Sequence, residues 1–575
     1  MTTRGNAGDA RGIAAAACSI AWSAILLTAC GGGSSGMSTG SNASSPMPST
    51  GMMPGPMPMA ASAKAASSEA ADDDAIEEGF RTVPKAHCSA DDHPETGLQG
   101  QVPAALRASG FHGFNCNLKL VGQVRGDGAN WQTAEFKDRV HKCAYHGTSY
   151  ATANRTQLGV PVADVTNPAK PTVTGYLTTS SMLDPWESLK VNERRQLLAA
   201  DEAFNGGLFG TGGPAIDIYD LSDDCRYPQL LASIGVGNPN GTTGIPLGVV
   251  GHEGSWAPDG LTYYGGDLTN KQYYAVDTTI PTRPKLLAAW KPGIVGPTGA
   301  IANVHGLSIS DDGMRGYFVS LATTPAADLT NPAASSANGL LVYDTSEIQL
   351  RKANPQVPLI SSIFWKDGGV SQHTINVHIG GRPYIVFVDE GGPSGNGTAG
   401  PAAACAANLP PYPMARIIDI SDERHPFIVS RLALEIHNPA NCSQTLPDIV
   451  GLTSFTYGSH YCSVDNRREA TTLVCGYFNA GIRVFDIRKP RRPQEIAYYN
   501  PAGTTTPSPG SNHIGPLVAN NWVSGGPDWC SAQAHLDARE GVLWTTCQDN
   551  GLIVLKFEND VWPFPTSRTP PGQQN

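Results

Sequence analysis

The sequence predicts an all-β fold: a seven-bladed β-propeller closed by an N-terminal strand and preceded by a disordered tether. Three observations predict it: a phrase that recurs six times, a composition rich in turn formers, and a last unit that lacks its final strand. The six copies are VADVTNPAKP (Val162 to Pro171), IYDLSDDCRYP (Ile218 to Pro228), AVDTTIPTRP (Ala275 to Pro284), VYDTSEIQLRKANPQVP (Val342 to Pro358), IIDISDERHP (Ile417 to Pro426) and VFDIRKPRRP (Val484 to Pro493). Each has an apolar β-branched run, an Asp, a polar turn and a Pro, followed by a second apolar run. The Asp can accept hydrogen bonds from backbone N–H groups ahead of it and fix the turn. The Pro ends one strand and prepares re-entry as an edge strand. Asp164, Asp220, Asp277, Asp344, Asp419 and Asp486 are spaced by about 55–75 residues, room for roughly four strands per unit.

Composition agrees. With 64 Gly and 45 Pro in 575 residues, and only 15% charged residues, the chain suits many short strands joined by turns. The net charge of −11 argues against nucleic acid or an anionic lipid surface as the main partner.

Residues 1–29 are expected to be an export signal. Arg4 and Arg11 precede an apolar stretch from Ile13 to Leu27, too short to span a bilayer comfortably. It ends in Leu27-Thr28-Ala29-Cys30, which resembles the bacterial lipobox. The resemblance implies lipid modification of Cys30 and a membrane anchor; Gly31 after it favours the outer membrane in a Gram-negative envelope. Residues 30–75, rich in Gly, Ser, Met, Pro and Ala, cannot bury a core and read as a flexible tether.

Twelve Cys, less Cys18 in the signal and Cys30 at the anchor, leave ten in an oxidising compartment. The expected pairs are Cys88–Cys116, Cys143–Cys225, Cys405–Cys442, Cys462–Cys475 and Cys530–Cys547. The last two flank turns and would bridge adjacent strands of one hairpin. No CxxC is present, so a metal–thiolate site is not indicated.

The propeller is assigned to residues 76–561 and a disordered tail to 562–575. GLIVLKFEND (Gly551 to Asp560) matches the first strand of the repeat but carries Lys556 at the Asp position and runs out without a partner strand. LKLVGQV (Leu118 to Val124) looks like the strand that follows Pro in each repeat, so it is expected to complete the last blade and leave no free sheet edge. Insertions at Leu321 to Asn338 and Glu390 to Met414 are expected on one rim. SISDDG (Ser308 to Gly313) and APDG (Ala257 to Gly260) read as hairpin turns and not as calcium loops.

The six phrases resemble the LVIVD repeat family of bacterial secreted proteins and lipoproteins, over about residues 140 to 557. The resemblance implies the propeller and export, but no particular activity.

Polar elements stand upstream of several phrases: HKCAYHG (His141, His146), PWESLKVN (Glu187), GHEGSWAPDG (His252, Glu253), NVHGLSISDDG (His305), SQHTINVH (His373, His378), GSHYCSVD (His460) and CSAQAHLD (His535). Inner strands of successive blades line one axis, so residues remote in sequence can meet there. His252, Glu253, His305, His373, His378, His460 and His535 are therefore the candidate ligands for a transition metal, copper, zinc or iron. The HEG and HG elements bear a weak resemblance to bacterial selenium-binding-type methanethiol oxidases, propellers whose His residues hold copper; no residue role is carried over. The alternative is structural, with each His bonded to loop backbone. Trp186, Trp256, Tyr461 and Trp529 either stack a ligand or pack between blades.

Two functional readings follow. The first is a lipid-anchored extracytoplasmic module that binds or scaffolds a protein or envelope ligand, without catalysis. The second is a metal-dependent oxidoreductase with a His-lined site at the propeller channel. A small-molecule binder is a third.

Overall fold

The computed structural model describes residues 80–148, 155–201, 215–235, 251–268, 270–293, 302–321, 337–394, 399–450, 455–504, 508–509, 511 and 526–564. The export signal, Cys30, the tether, residues 565–575 and most of the Leu321 to Asn338 insertion lie outside them. The described residues form seven antiparallel sheets, six of four strands and one of five. These are the seven blades of a propeller.

The innermost strands, in blade order, are Thr133–Lys137, Lys190–Asn192, Glu253–Trp256, Leu307–Ile309, Gly369–Ile379, Cys462–Val464 and His535–Asp537. In the first six blades the first four strands run inner to outer in chain order; in blade seven they do not. Its outer strand is Leu118–Val124, paired antiparallel with Gly551–Phe557, so that Leu118 faces Phe557 and Val124 faces Leu552. The ring is closed by the strand expected to close it.

The recurrent phrase works as its chemistry suggests. Each of the six Asp residues ends the third strand of its blade, and its Oδ1 accepts the N–H of the residue two positions on, at 2.8–3.0 Å. The fourth strand then begins just after Pro. In all seven blades the pairing of third and fourth strands carries a register shift. Such bulges twist an outer edge and discourage pairing with another chain. Asp220→Ala removes one of these turn-fixing bonds, to Ser222, and should lower stability by about 1 kcal/mol in urea unfolding.

Between blades the core is apolar and aromatic. Blades three and four, for example, share Tyr264, Tyr273, Leu307, Phe318 and Tyr343, with the Tyr273 and Phe318 rings 4.5 Å apart and tilted edge-on. The SISDDG and APDG segments are turns: Asp312 Oδ1 accepts from Ser310 and from the Met314 N–H, and Asp259 Oδ1 from the Leu261 N–H.

All five expected disulfides are present. Cys462 and Cys475 face each other across one hairpin. Cys530 differs from expectation, because it precedes strand His535–Asp537 and ties the lead-in of blade seven to the end of Val542–Cys547.

Two features go beyond the sequence-based expectation. A short strand, Phe114–Cys116, adds a fifth member to blade six by pairing with Gln494–Asn500, so the chain passes from the edge of blade six to that of blade seven. The preceding segment is pinned there by the fully buried Arg483, which pairs with Glu495 at 3.0 Å and with Glu95. At the other end, residues 562–564 belong to the body and not to a tail. Trp562 is buried against Phe557, because blade seven would otherwise expose that apolar face.

Candidate metal centre

A propeller turns sequence-remote positions into neighbours, because every inner strand starts near the axis at the same end. At or just ahead of those starts stand Trp131, Glu187, His252, His305, His460 and Ser531, and blade five adds Gln372 from three residues inside its strand Gly369–Ile379. Backbone contacts tie the ring together: Glu187 bridges Glu253, the Gly306 N–H donates to the Gln372 carbonyl, and the Tyr461 N–H to the Ser531 carbonyl.

Four of these side chains, Glu187, His252, His305 and His460, gather with Glu390 from the second strand of blade five, Arg382–Gly391. The Nε2 atoms of His252 and His305 lie 2.9 Å apart. Glu187 Oε2 is 3.2 Å from the first and 3.0 Å from the second. On its other side, Glu187 Oε1 is 3.1 Å from His460 Nε2, which is 3.2 Å from Glu390 Oε2. All five residues are buried.

The five residues fall into two groups of three that share Glu187, one with His252 and His305 and one with Glu390 and His460, and within each group the separations match ligands of one cation. Donors held ~2.1 Å from a metal stand roughly 3.0–3.4 Å from one another. Hydrogen bonding alone accounts for them poorly. Glu187 Oε2 accepts no well-directed hydrogen bond despite its two imidazole neighbours. Around His460 Nε2, one N–H at most would have to serve both Glu187 and Glu390, while the Gln372 amide nitrogen, itself a donor, stands 3.4 Å from the same atom.

The outer ring nitrogens are set for the same task. His305 Nδ1 lies 2.8 Å from the Ser371 carbonyl, and His460 Nδ1 lies 3.0 Å from the Ser531 carbonyl. A carbonyl takes the Nδ1 proton, which leaves Nε2 a lone pair for a metal. The two readings of these histidines are therefore not exclusive, since the ring that holds the loop backbone also presents its far nitrogen to the axis.

Charge is concentrated here. Burial disfavours the imidazolium of His305, yet the Glu187 and Glu390 carboxylates overcome it and raise its pKa to about 10. His460 follows for the same reason, to about 9. Burial would raise Glu187, but His305 and His252 hold it well below the usual carboxylate range. His252 is lowered by burial. The cluster favours positive charge at its centre, in the form of protons or a cation.

Of the seven sequence-predicted ligands, His252, His305 and His460 meet. The other four do not. Glu253 follows His252 in a strand, so alternation turns it to the next layer, where it lies 3.7 Å from Lys190. Burial lifts its pKa to about 8. His373 stacks on Tyr461 with centroids 4.6 Å apart. His378 is five residues farther along the strand, roughly 16–17 Å at the usual rise, and its backbone N–H donates to the Arg467 carbonyl. His535 stacks on Trp544 at 4.4 Å and meets Thr133 at 3.0 Å. Glu187 stands in a polar element visible in the sequence but outside the expected ligand set. Glu390 carried only a positional signal, at the mouth of the second insertion.

An aromatic roof covers the centre. Trp131 and Phe478 stand 4.9 and 5.2 Å from the His460 ring, and Trp186 stands 5.9 Å from His252. Phe455 and Trp529 complete it, 5.5 and 6.1 Å from Trp131. Trp186, Phe455 and Phe478 have φ of 49°, 49° and 36°. Bulky side chains avoid this left-handed region, at a cost of roughly 1–3 kcal/mol each, and such strain gathers at functional sites. Trp256 instead packs between blades, its indole N–H donating to the Lys190 carbonyl. On the other side of the His373 and Glu253 layer, a cavity of about 840 Å³ lined by Lys190, Trp256, Arg467 and His535 opens along the axis.

No protein-family model matches this chain, and no curated protein is significantly similar to it. Among solved structures, it is similar to a putative 6-phosphogluconolactonase from Bacteroides uniformis, at 12% identity and a TM-score of 0.46, over 74% of this chain and 94% of that one. It is also similar to a periplasmic gluconolactonase from Pseudomonas aeruginosa, at 12% identity and a TM-score of 0.42, over 71% and 93%. At these values the likeness bears on neither reaction nor ligand.

Proposed function

We propose that this chain is an extracytoplasmic metalloenzyme of the oxidoreductase class, with one first-row transition metal at the propeller axis. The observation that carries this is a pair of buried three-residue groups at ligand spacing that share Glu187, one with His252 and His305 and one with Glu390 and His460, with two of the imidazoles held by backbone carbonyls. A dication would balance the two carboxylates, and either group of three would leave room on the ion for a ligand from outside the protein. Such an ion supplies Lewis acidity and, for copper, iron or manganese, a one-electron couple. Glu187 and Glu390 hold the charge, and His252, His305 and His460 set the geometry. Trp131, Trp186 and Phe478 exclude water and offer an apolar face to a substrate. That roof favours redox chemistry on an apolar molecule over hydrolysis, which needs ready access for water.

Export and anchoring at Cys30, on the outer membrane or another periplasm-facing membrane, belong to the same proposal, as does kinship with the LVIVD repeat family. Five disulfides favour an oxidising compartment. A scaffold role is the second reading. One feature favours it: the insertion that opens at Glu390 carries a helix, Ala399–Ala406, which buries Gly400, Pro401 and Ala404 and is stapled by Cys405–Cys442, so that its outer face is a fixed surface for a partner.

Elemental analysis of the mature protein, purified without chelators, decides between them. About one equivalent of a transition metal is expected. Less than about a tenth of an equivalent, with no uptake on reconstitution, would leave the scaffold reading.

A further inference from the structure

Blade five offers the axis something different from its neighbours. Where blades two, three, four and six present Glu187, His252, His305 and His460, it presents Gln372, with no exposed surface at all. The strand Gly369–Ile379 is bulged at this point, its register against Arg382–Gly391 shifting between Ser371 and His373. A bulge inserts one unpaired residue and re-aims its side chain, and such features gather beside active sites. Here the extra residue is Gln372.

Its backbone is pinned to the His305–Gly306 segment of blade four. The Gln372 carbonyl accepts the Gly306 N–H at 2.8 Å, and the Ser371 carbonyl holds His305 Nδ1. The amide itself is left incomplete. Its nitrogen lies 3.4 Å from His460 Nε2, the atom that would face a metal, and its oxygen has no hydrogen-bond partner. A buried amide in that state is costly, and native proteins rarely leave one so without a reason. With the His460 Nε2 lone pair committed to a metal, the amide N–H would lose its one acceptor there and be free to donate to a further ligand on the ion, since either group of three leaves room for one.

We propose that Gln372 is a positioning residue whose amide donates a hydrogen bond to an exogenous ligand on the metal. The ligand class is a small oxygen- or nitrogen-donor molecule: water, hydroxide, or an anion of similar size. The inference rests on the metal reading above and adds to it an open coordination position on the blade-five side. A donor aimed at a coordinated anion strengthens its binding without altering how the protein holds the ion.

Azide is a suitable probe, added to the copper(II)-loaded protein and followed by the charge-transfer absorption it produces. The unaltered protein should bind it saturably. Gln372→Leu should keep one equivalent of metal and its thermal unfolding cooperativity, while azide affinity falls about 10- to 100-fold. Gln372→Glu, which keeps the shape but sets a carboxylate against the anion, should fall at least as far; it also serves if the Leu variant does not fold. Several results would overturn the assignment: no azide band in the unaltered protein, affinity within twofold in both variants, or loss of metal from Gln372→Leu. Each leaves the metal centre standing. Failure of the unaltered protein to take up metal would instead remove the proposed function, and this inference with it.

Discussion

Glu187→Ala is expected to strip the protein of metal, from about one equivalent to less than a tenth, while far-ultraviolet circular dichroism still shows the β-propeller. Glu187 is the hinge of the cluster, since one carboxylate oxygen faces His252 and His305 and the other faces His460. Losing a partner that only supports a ligand costs roughly 10- to 100-fold in metal affinity, and losing the shared ligand should cost more. Glu187→Gln keeps the shape but halves the negative charge at the centre, so an intermediate loss is expected. His378→Ala and His535→Ala are the controls. Both residues look like ligands in the sequence, yet lie away from the cluster, and both variants should keep their full metal content. Retention of one equivalent by Glu187→Ala would contradict the assignment.

The second large effect is expected at Arg416. This guanidinium has no exposed surface, pairs with Asp367 at 2.9 Å and Asp389 at 2.6 Å, and lies over the Trp365 ring at 4.2 Å. Burial would push Asp367 up, but Arg416 and Arg431 overcome it and hold its pKa at about 2. Arg416→Leu leaves the fully buried Asp389 without its cation, and breaking a pair in this way costs about 3–5 kcal/mol. Denaturant unfolding should report the loss. The site should feel it too. Asp389 adjoins Glu390, its carboxylate accepts from Asn338, and Asn338 in turn accepts from Ser371, whose carbonyl fixes His305. Metal affinity should therefore fall roughly 10- to 100-fold with no ligand altered. A variant as stable as the parent would show that Asp389 finds another partner or takes up a proton.

The Asx turns were legible because their interaction is local. Asp164 or Asp486 needs only the N–H two residues ahead, and the same chemistry repeated six times reveals the blade. The closing strand was legible for a different reason: GLIVLKF lacks a follower, and LKLVGQV is a follower without a leader. The ligands were only half legible. His252, His305 and His460 open inner strands and so point to the axis, while His378 shares their residue type but sits too far along its strand. Glu390 had no local sign of its role. It ends a second strand, Arg382–Gly391, and reaches the centre only because the blade-five hairpin brings that end beside His460.

By itself the sequence determined the blade unit, the closure of the ring and the two short-range pairs Cys462–Cys475 and Cys530–Cys547, because turns, strand periodicity and Cys residues flanking a turn act over short spans or repeat. Only the tertiary structure decided which carboxylates join which histidines, and that a bulge turns Gln372 inward. Seven inner strands packed about one axis bring together side chains 203 residues apart, Glu187 and Glu390, and distances of that kind are set by how the blades pack and by no local pattern.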